Sequence, residues 1–303
     1  MPDSLVAFIL LFLGAALLRA FHLLTRSDAE RLAAFVFSVS LPATILVSLD
    51  GIQFTYAAWK LPVAACLVTL PMIVLSWQLS RFLHLPRLTQ GSFLLGTGCI
   101  NSIYFAYPVI LATFGEAGLA RAVLFDLGQT TLTLTLLYGL ALWHGTGVSH
   151  AGSALQRFIA SPPLWALTGV LMLKLVGLHL PLWLRDLLLP VHMTTTPLAS
   201  LVLGLSISLS GQGRLGLAAL GVLVRMGAGL LLGFVAAEVL RLRGVERAVV
   251  ILVGGMPSAV TATIFAAEAR LDEELVGAIV ALSVGAGVLL LPWVPQLAAW
   301  LAG

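Results

Sequence analysis

Apolar residues run in stretches of about twenty along the whole chain, separated by short polar or charged intervals. Ten stretches are read, at 4–24, 31–49, 56–80, 90–113, 118–142, 157–179, 184–209, 214–241, 246–267 and 273–300. A helix of about twenty apolar residues spans the ~30 Å hydrocarbon layer of a bilayer. The pattern therefore predicts an all-α polytopic membrane protein with ten transmembrane helices. The seventh stretch is the least continuous, because Pro190, His192, Thr194, Thr195, Thr196 and Pro197 interrupt it. The longest hydrophilic interval, Trp143 to Gln156, is too short to bury a core, so no soluble domain is expected.

Two of the stretches carry polar residues and prolines where hydrocarbon favours neither. Asn101 to Gly115 contains an amide, a hydroxyl, two phenols and Pro108, and 254–261 contains Gly254, Gly255, Pro257, Ser258 and Thr261. A proline within a helix removes one hydrogen bond and clashes with the carbonyl four residues back, at a cost of roughly 3 kcal/mol. In lipid no water repairs the loss, so such breaks are tolerated only where they face protein or a water-filled cavity. Interrupted helices in corresponding positions of two halves point to a transporter's binding site near the membrane midplane.

Corresponding positions do exist. Cut near residue 150, the chain repeats Leu41-Pro42-Ala43 as Thr196-Pro197-Leu198 and Ile110-Leu111-Ala112 as Ile264-Phe265-Ala266, at offsets of 155 (197 − 42) and 154 (266 − 112) residues. Five helices per copy is an odd number, so the second copy enters the membrane from the opposite side. Residues 1–150 and 151–303 are thus expected to be two inverted five-helix repeats.

Composition narrows the class further. Hydrophobic residues make up 60% of the 303 and charged residues 10%, against about 25% charged in a soluble domain. The opening Met1-Pro2-Asp3-Ser4 lacks the basic region of a cleavable signal, so the first stretch is expected to be retained as a helix. Arginines are scattered among short loops and gather into no stripe, which argues against nucleic acid as a partner. In the first half Arg19, Arg26, Arg31, Arg81 and Arg87 outnumber Lys60 and Arg121 on the other side, favouring an N-terminus outside the cytoplasm; Arg185, Arg241, Arg243 and Arg247 against Arg157, Arg214 and Arg270 distribute the other way. Cys66 and Cys99 lie in apolar segments, so neither a disulfide nor a metal site is expected.

The candidate site follows from the breaks. The start of a half-helix carries about half a positive elementary charge and free N–H groups, and suits an anion. Asn101, Tyr104 and Pro108 share one helical face, and Ser258 and Thr261 share another. Ser102, Tyr107 and Pro257 belong to the same breaks, and Ser40, Pro42, Thr196, Pro197 and Ser200 in segments two and seven would complete the wall. Thr194 and Thr195 read as capping hydroxyls. Membrane hydroxyls equally bond a carbonyl of their own helix, which is the structural alternative for each of them.

Intramembrane charges are the coupling candidates, since each costs at least ~2.5–3.5 kcal/mol at the bilayer centre. Asp126 is the most central carboxylate, with Gln129 and Thr133 following it, and Arg225 sits inside segment eight. An Asp126–Arg225 pair would offset the burial of both; the alternative is that Asp126 takes up and releases a proton. Glu238, Glu268 and Asp50 fall near segment ends and are expected at a solvated interface, with Glu268 also placed to gate the ninth helix. His22, His84, His144 and His150 read as interfacial, and His192 as a minor site candidate. Gly229 and Gly233 form a small-residue pair suited to close helix packing.

Phe35 to Ala43, Asn101 followed by Tyr107-Pro108 and Phe114-Gly115, Ser161-Pro162, Pro197 to Gly204 and the Pro257 to Pro292 block, in that order, resemble the auxin efflux carrier family. The resemblance implies ten helices in two inverted halves, as in bile acid and sodium symporters, with helices four and nine broken and crossed. It implies a cell-membrane protein with both termini outside the cytoplasm, transporting small organic anions: auxin in plant members, dicarboxylates such as malonate or malate in bacterial ones. Absence of the long hydrophilic loop of many plant members marks a compact, bacterial-type chain and argues against auxin.

The resulting expectation is an alternating-access carrier without cofactor, in which a crossover domain of segments three to five and eight to ten moves against a scaffold of one, two, six and seven. Uniport, proton coupling and sodium coupling stay open, as does a homodimer built through the scaffold. The alternatives are a sodium-coupled symporter of a larger organic anion, or a channel or structural membrane protein. No His-Glu-x-x-His, Gly-x-Ser-x-Gly or acidic metal box is present, so an enzyme is not expected.

Overall fold

The computed structural model describes residues 2–52, 58–146, 159–206 and 214–302. His150 and Arg157, read above as interfacial and loop residues, lie outside them. Every regular element among the described residues is helical. Among the described residues, seven continuous helices or helix pairs are long and apolar enough to cross a membrane: Asp3–Ala20, Ser27–Asp50, Lys60–Phe82, Ser102–His144, Leu182–Ser206, Leu215–Val239 and Glu273–Ala302. The difference from ten arises where helices break. Segment nine divides into Gly244–Gly254 and Thr261–Ala269, neither of which spans alone, and segment six is represented by Pro162–Leu175. Segments four and five share the Ser102–His144 stretch, which Gly115 interrupts with a left-handed φ of 65°.

The chain forms two compact units. The first draws on 1–58, 103–123 and 156–207. It contains α1 (Asp3–Ala20), α2 (Arg26–Phe35), α3 (Leu41–Asp50), the start of α6 (Tyr107–Leu132), α8 (Pro162–Leu175), α9 (Leu182–Met193) and α10 (Thr195–Ser206). Thr25 and Asp28 form a reciprocal capping box that starts α2, satisfying two backbone donors that the first turn would leave open. Helices α1 and α10 touch at backbone level: a Cβ on Gly204 would lie 2.3 Å from the Phe12 carbonyl.

The second unit draws on 59–102, 124–155 and 208–303. It contains α4 (Lys60–Phe82), α5 (Arg87–Gly98), the end of α6 (Tyr107–Leu132), α7 (Tyr138–His144), α11 (Leu215–Val222), α12 (Gly229–Val239), α13 (Gly244–Gly254), α14 (Thr261–Ala269), α15 (Glu273–Leu290) and α16 (Val294–Ala302). Met72, Phe93, Val224, Leu275 and Ile279 form its core. The Gly229–Gly233 pair packs α12 on α13 as the spacing predicted. A Cβ on Gly229 would come within 2.2 Å of the Gly254 carbonyl, and one on Gly233 within 2.9 Å of Ile251 Cα. Large apolar side chains face outward in both units, among them Leu10 (64% exposed), Leu231 (67%) and Leu289 (74%), as a lipid-facing surface requires.

Widened, π-type turns precede two of the prolines. Val36–Ser40 leads into Pro42, and Ser102–Ala106 leads into Pro108. An extra residue in the turn relieves the clash between the proline ring and the carbonyl one turn back, so each helix continues past its proline. Pro108 is therefore inside a helix. The break expected there lies upstream, at 99–101, behind Gly96 and Gly98.

Candidate substrate site at paired helix breaks

Within the second unit the two broken helices meet through their backbones. After α5 ends at Gly98 the chain turns extended at Cys99 (φ −81°, ψ 121°), and Ile100 pairs antiparallel with Ser258. The Asn101 N–H donates to the Pro257 carbonyl at 2.9 Å, and the Ala259 N–H to the Cys99 carbonyl at 3.1 Å. Each break supplies the partners that the other lost on leaving its helix, which is how irregular backbone is accommodated at membrane depth. Pro257 suits this position because its carbonyl is used and it has no N–H to satisfy. Asn101 adds a side-chain bond from Nδ2 to the Ser258 carbonyl at 3.4 Å, and Ser283 of α15 accepts the Ser258 N–H at 3.0 Å.

Arg225 holds the ends of both helices that run into the breaks. It lies in a π-type turn between α11 and α12 and is 1% exposed. Nη1 donates to the Thr97 carbonyl at 2.9 Å, and Nη2 donates to the Gly254 carbonyl. Helix C-termini carry partial negative charge and unpaired carbonyls, so a single guanidinium fork caps α5 and α13 together. The ion pair with Asp126 expected from sequence is replaced by these carbonyls, which leave no side-chain signal to read.

Five buried side-chain polar atoms have no hydrogen-bond partner among the described residues, and three of them sit at these breaks: Ser102 Oγ, Ser258 Oγ and Arg225 Nε. An unpaired buried polar group costs about 1–3 kcal/mol. Each of the three is a buried polar group whose lack of a partner calls for an explanation.

The other expected site residues divide between the units. Thr261 opens α14 and is half-buried, and Gln129 donates to Thr133 at 2.9 Å within α6 and the turn that follows. Asp126 is half-buried on α6. Glu268 accepts the Tyr138 hydroxyl at 2.6 Å, which ties α14 to α7. Tyr104, Tyr107 and Pro108 are buried residues of the first unit. So are Ser40 and Ser200, while Pro42, Thr196 and Pro197 are half-buried there. The Ser200 hydroxyl is used within its own helix, on the Thr196 carbonyl at 2.8 Å. Pro197 stands in the first turn of α10, where no N–H is needed.

Several assignments change. Thr194 and Thr195 do not cap a helix; they tie segment seven to segment two, through Ser40 Oγ at 3.0 Å and Thr44 Oγ1 at 2.7 Å. Asp50, expected in solvent, is 6% exposed and receives Leu180 N–H at 3.0 Å beside Lys174 Nζ at 3.6 Å. His144, expected at an interface, is 2% exposed. Glu238 pairs with Arg247 at 3.2 Å and is solvated as expected. Sequence reasoning passed over Glu116, which follows the Phe114-Gly115 turn and contacts His192 at 2.8 Å. It also passed over Ser283; neither residue carries a spacing signal that links it to its partner.

Comparison with known proteins places these features in a family. The model of the family described as membrane transport protein matches residues 3–294. An uncharacterized transporter of Methanothermobacter thermautotrophicus is 29% identical over 302 residues, covering 96% of each chain. An uncharacterized transporter of Methanocaldococcus jannaschii is 27% identical over 291 residues, covering 90% of this chain and 91% of its own.

Proposed function

Since the chain belongs to the membrane transport protein family, that of the auxin efflux carriers, we propose that it is a secondary transporter of a small organic anion, a carboxylate or dicarboxylate, bound where the two breaks pair. The observation that carries this reading is the set of buried donors at the breaks that have no partner among the described residues: Ser102 Oγ, Ser258 Oγ and Arg225 Nε. A carboxylate accepts and never donates, so hydroxyl and guanidinium N–H groups are the complement it needs. The half-helices that leave the breaks add their N-terminal dipoles.

On this reading the ten stretches are ten transmembrane helices in two inverted repeats, 1–150 and 151–303. Transport proceeds by alternating access, with segments three to five and eight to ten as the moving body and one, two, six and seven as the scaffold. Asn101 shapes the break by holding the Ser258 carbonyl, and Ser102, Ser258 and Thr261 contact the anion. Tyr104, Tyr107, Pro108, Ser40, Pro42, Thr196, Pro197 and Ser200 line the path in this scheme, and Asp126, Gln129 and Glu268 serve coupling. The protein resides in the cell membrane with both termini outside the cytoplasm.

Reconstitution tests the proposal. Proteoliposomes holding wild type, Asn101→Ala or Ser258→Ala are assayed for uptake of radiolabelled malonate, malate and indole acetate. Saturable uptake of a carboxylate that falls at least about tenfold in both variants is expected, from the loss of one charge-assisted bond or of the break's geometry. Full activity in both variants would remove the site from the breaks, and no uptake by a folded wild type would remove these carboxylates as substrates.

A further inference from the structure

We propose that Glu116 and His192 form a proton-binding site in the first unit, sharing no residue with the paired breaks, which gains or loses one proton as a single threonine hydroxyl turns. His192 is 3% exposed and held at both ring nitrogens. Nε2 lies 2.8 Å from Glu116 Oε1, and Nδ1 lies 3.1 Å from Thr44 Oγ1. The second carboxylate oxygen of Glu116 accepts the Ser48 hydroxyl at 2.9 Å.

Proton bookkeeping gives the pair its function. An ionised carboxylate only accepts, so Nε2 carries a proton. Thr44 Oγ1 has three further options: His192 Nδ1, Thr195 Oγ1 at 2.7 Å, and the Ser40 carbonyl at 3.0 Å, which can only accept. With a neutral ring, Thr44 donates to Nδ1 and receives from Thr195. With the ring doubly protonated, Nδ1–H donates to Thr44, Thr44 donates to the Ser40 carbonyl, and Thr195 still donates to Thr44. Both states satisfy every one of these side chains, and they differ by one proton and one hydroxyl rotation. The pair passes from a net charge of −1 to 0.

Placement suits the exchange. The Glu116 side chain is 55% exposed and adjoins the buried ring, giving the proton a route inward. His192 stands between Pro190 and the join of α9 with α10, and Thr44 stands two residues beyond Pro42. Other charged groups on the elements of this site are Asp50 on α3, occupied by Lys174, His179 and the Leu180 N–H, Arg185 and Asp186 at the far end of α9, and Arg121 and Asp126 on the helix of Glu116.

Proton binding stands independently of the carrier reading; its use, coupling transport to a proton gradient, rests on that reading. The test is 15N NMR of histidine-labelled protein in lipid nanodiscs, from about pH 5 to 8, with the His192 signal identified by its loss in His192→Gln. The signal is expected to pass from the Nε2–H tautomer to the doubly protonated ring. Glu116→Gln, nearly isosteric, is expected to move the midpoint by about one pH unit or more, and Ser48→Ala, which keeps both titrating groups, to move it less. A ring that stays in one state over the range, or a midpoint unchanged in Glu116→Gln, overturns the proposal. In proteoliposomes, the response of malonate uptake to an imposed pH gradient is expected to vanish in Glu116→Gln. Absence of malonate uptake in wild type would count against the carrier reading alone, because the NMR titration is unaffected by it.

Discussion

Replacing Arg225 by methionine should open the paired breaks, and Cys99 reports the opening. Arg225 donates to the Thr97 and Gly254 carbonyls. A hydrogen bond from a charged group contributes about 1.5–3 kcal/mol, so the two together amount to about 3–6 kcal/mol. Burying a guanidinium has its own cost, which methionine relieves. The two carbonyls stay buried with no donor in its place, so the lower end, about 3 kcal/mol, is the expected loss. Cys99 is 1% exposed and stands at the break, one residue beyond the end of α5. In a Cys66→Ser background, maleimide labelling of Cys99 requires local opening, and its rate follows the open population. A loss of 3 kcal/mol raises that population about 100-fold, at 1.4 kcal/mol per factor of ten. Arg225→Lys keeps the charge and lacks the fork, so it should fall between. Labelling of Arg225→Met within about threefold of wild type, less than 1 kcal/mol, would refute the double-capping role.

Further outcomes follow from individual contacts. Ser102→Ala and Ser258→Ala remove hydroxyls without a hydrogen-bond partner among the described residues, so thermal unfolding in detergent should hold steady or rise while carboxylate uptake falls. Gly204→Ala drives a Cβ to 2.3 Å from the Phe12 carbonyl, whereas Gly169 in α8 has open space around it. The first should cost about 1–3 kcal/mol or more, and Gly169→Ala should gain about 0.4–1 kcal/mol, both measured as unfolding midpoints. Tyr138→Phe removes the bond to Glu268 and should destabilise by about 1–3 kcal/mol, read by the same assay.

Much of the helical plan was legible because lipid permits few alternatives. Long apolar runs predicted helices, and Gly254, Gly255 and Pro257 marked a break that the structure contains. Pro108 misled by seven to nine residues. Its ring clash is absorbed by the widened turn at Ser102–Ala106, while the break at 99–101 has no proline and follows two glycines. Arg225 stood out as a charge in an apolar run, but its partners are main-chain carbonyls 128 and 29 residues away. A search for a carboxylate could only reach Asp126. The Glu116–His192 contact spans 76 residues, and Glu116 looked like a turn residue beside Gly115. Local pattern records what each helix buries; it carries no record of which distant backbone a side chain serves.

The shared guanidinium also imposes an order on biogenesis. The Thr97 carbonyl is bonded by Arg225, made 128 residues later, and the Asn101 N–H by a carbonyl of the Pro257 loop, later still. At about 5–20 residues per second, the gap from Thr97 to Arg225 lasts about 6–26 s. Through that interval the first break has entered the membrane with neither its cation nor its strand partner. A truncated first half should accordingly be unstable and open to membrane proteases, and should be rescued when the second half is expressed beside it.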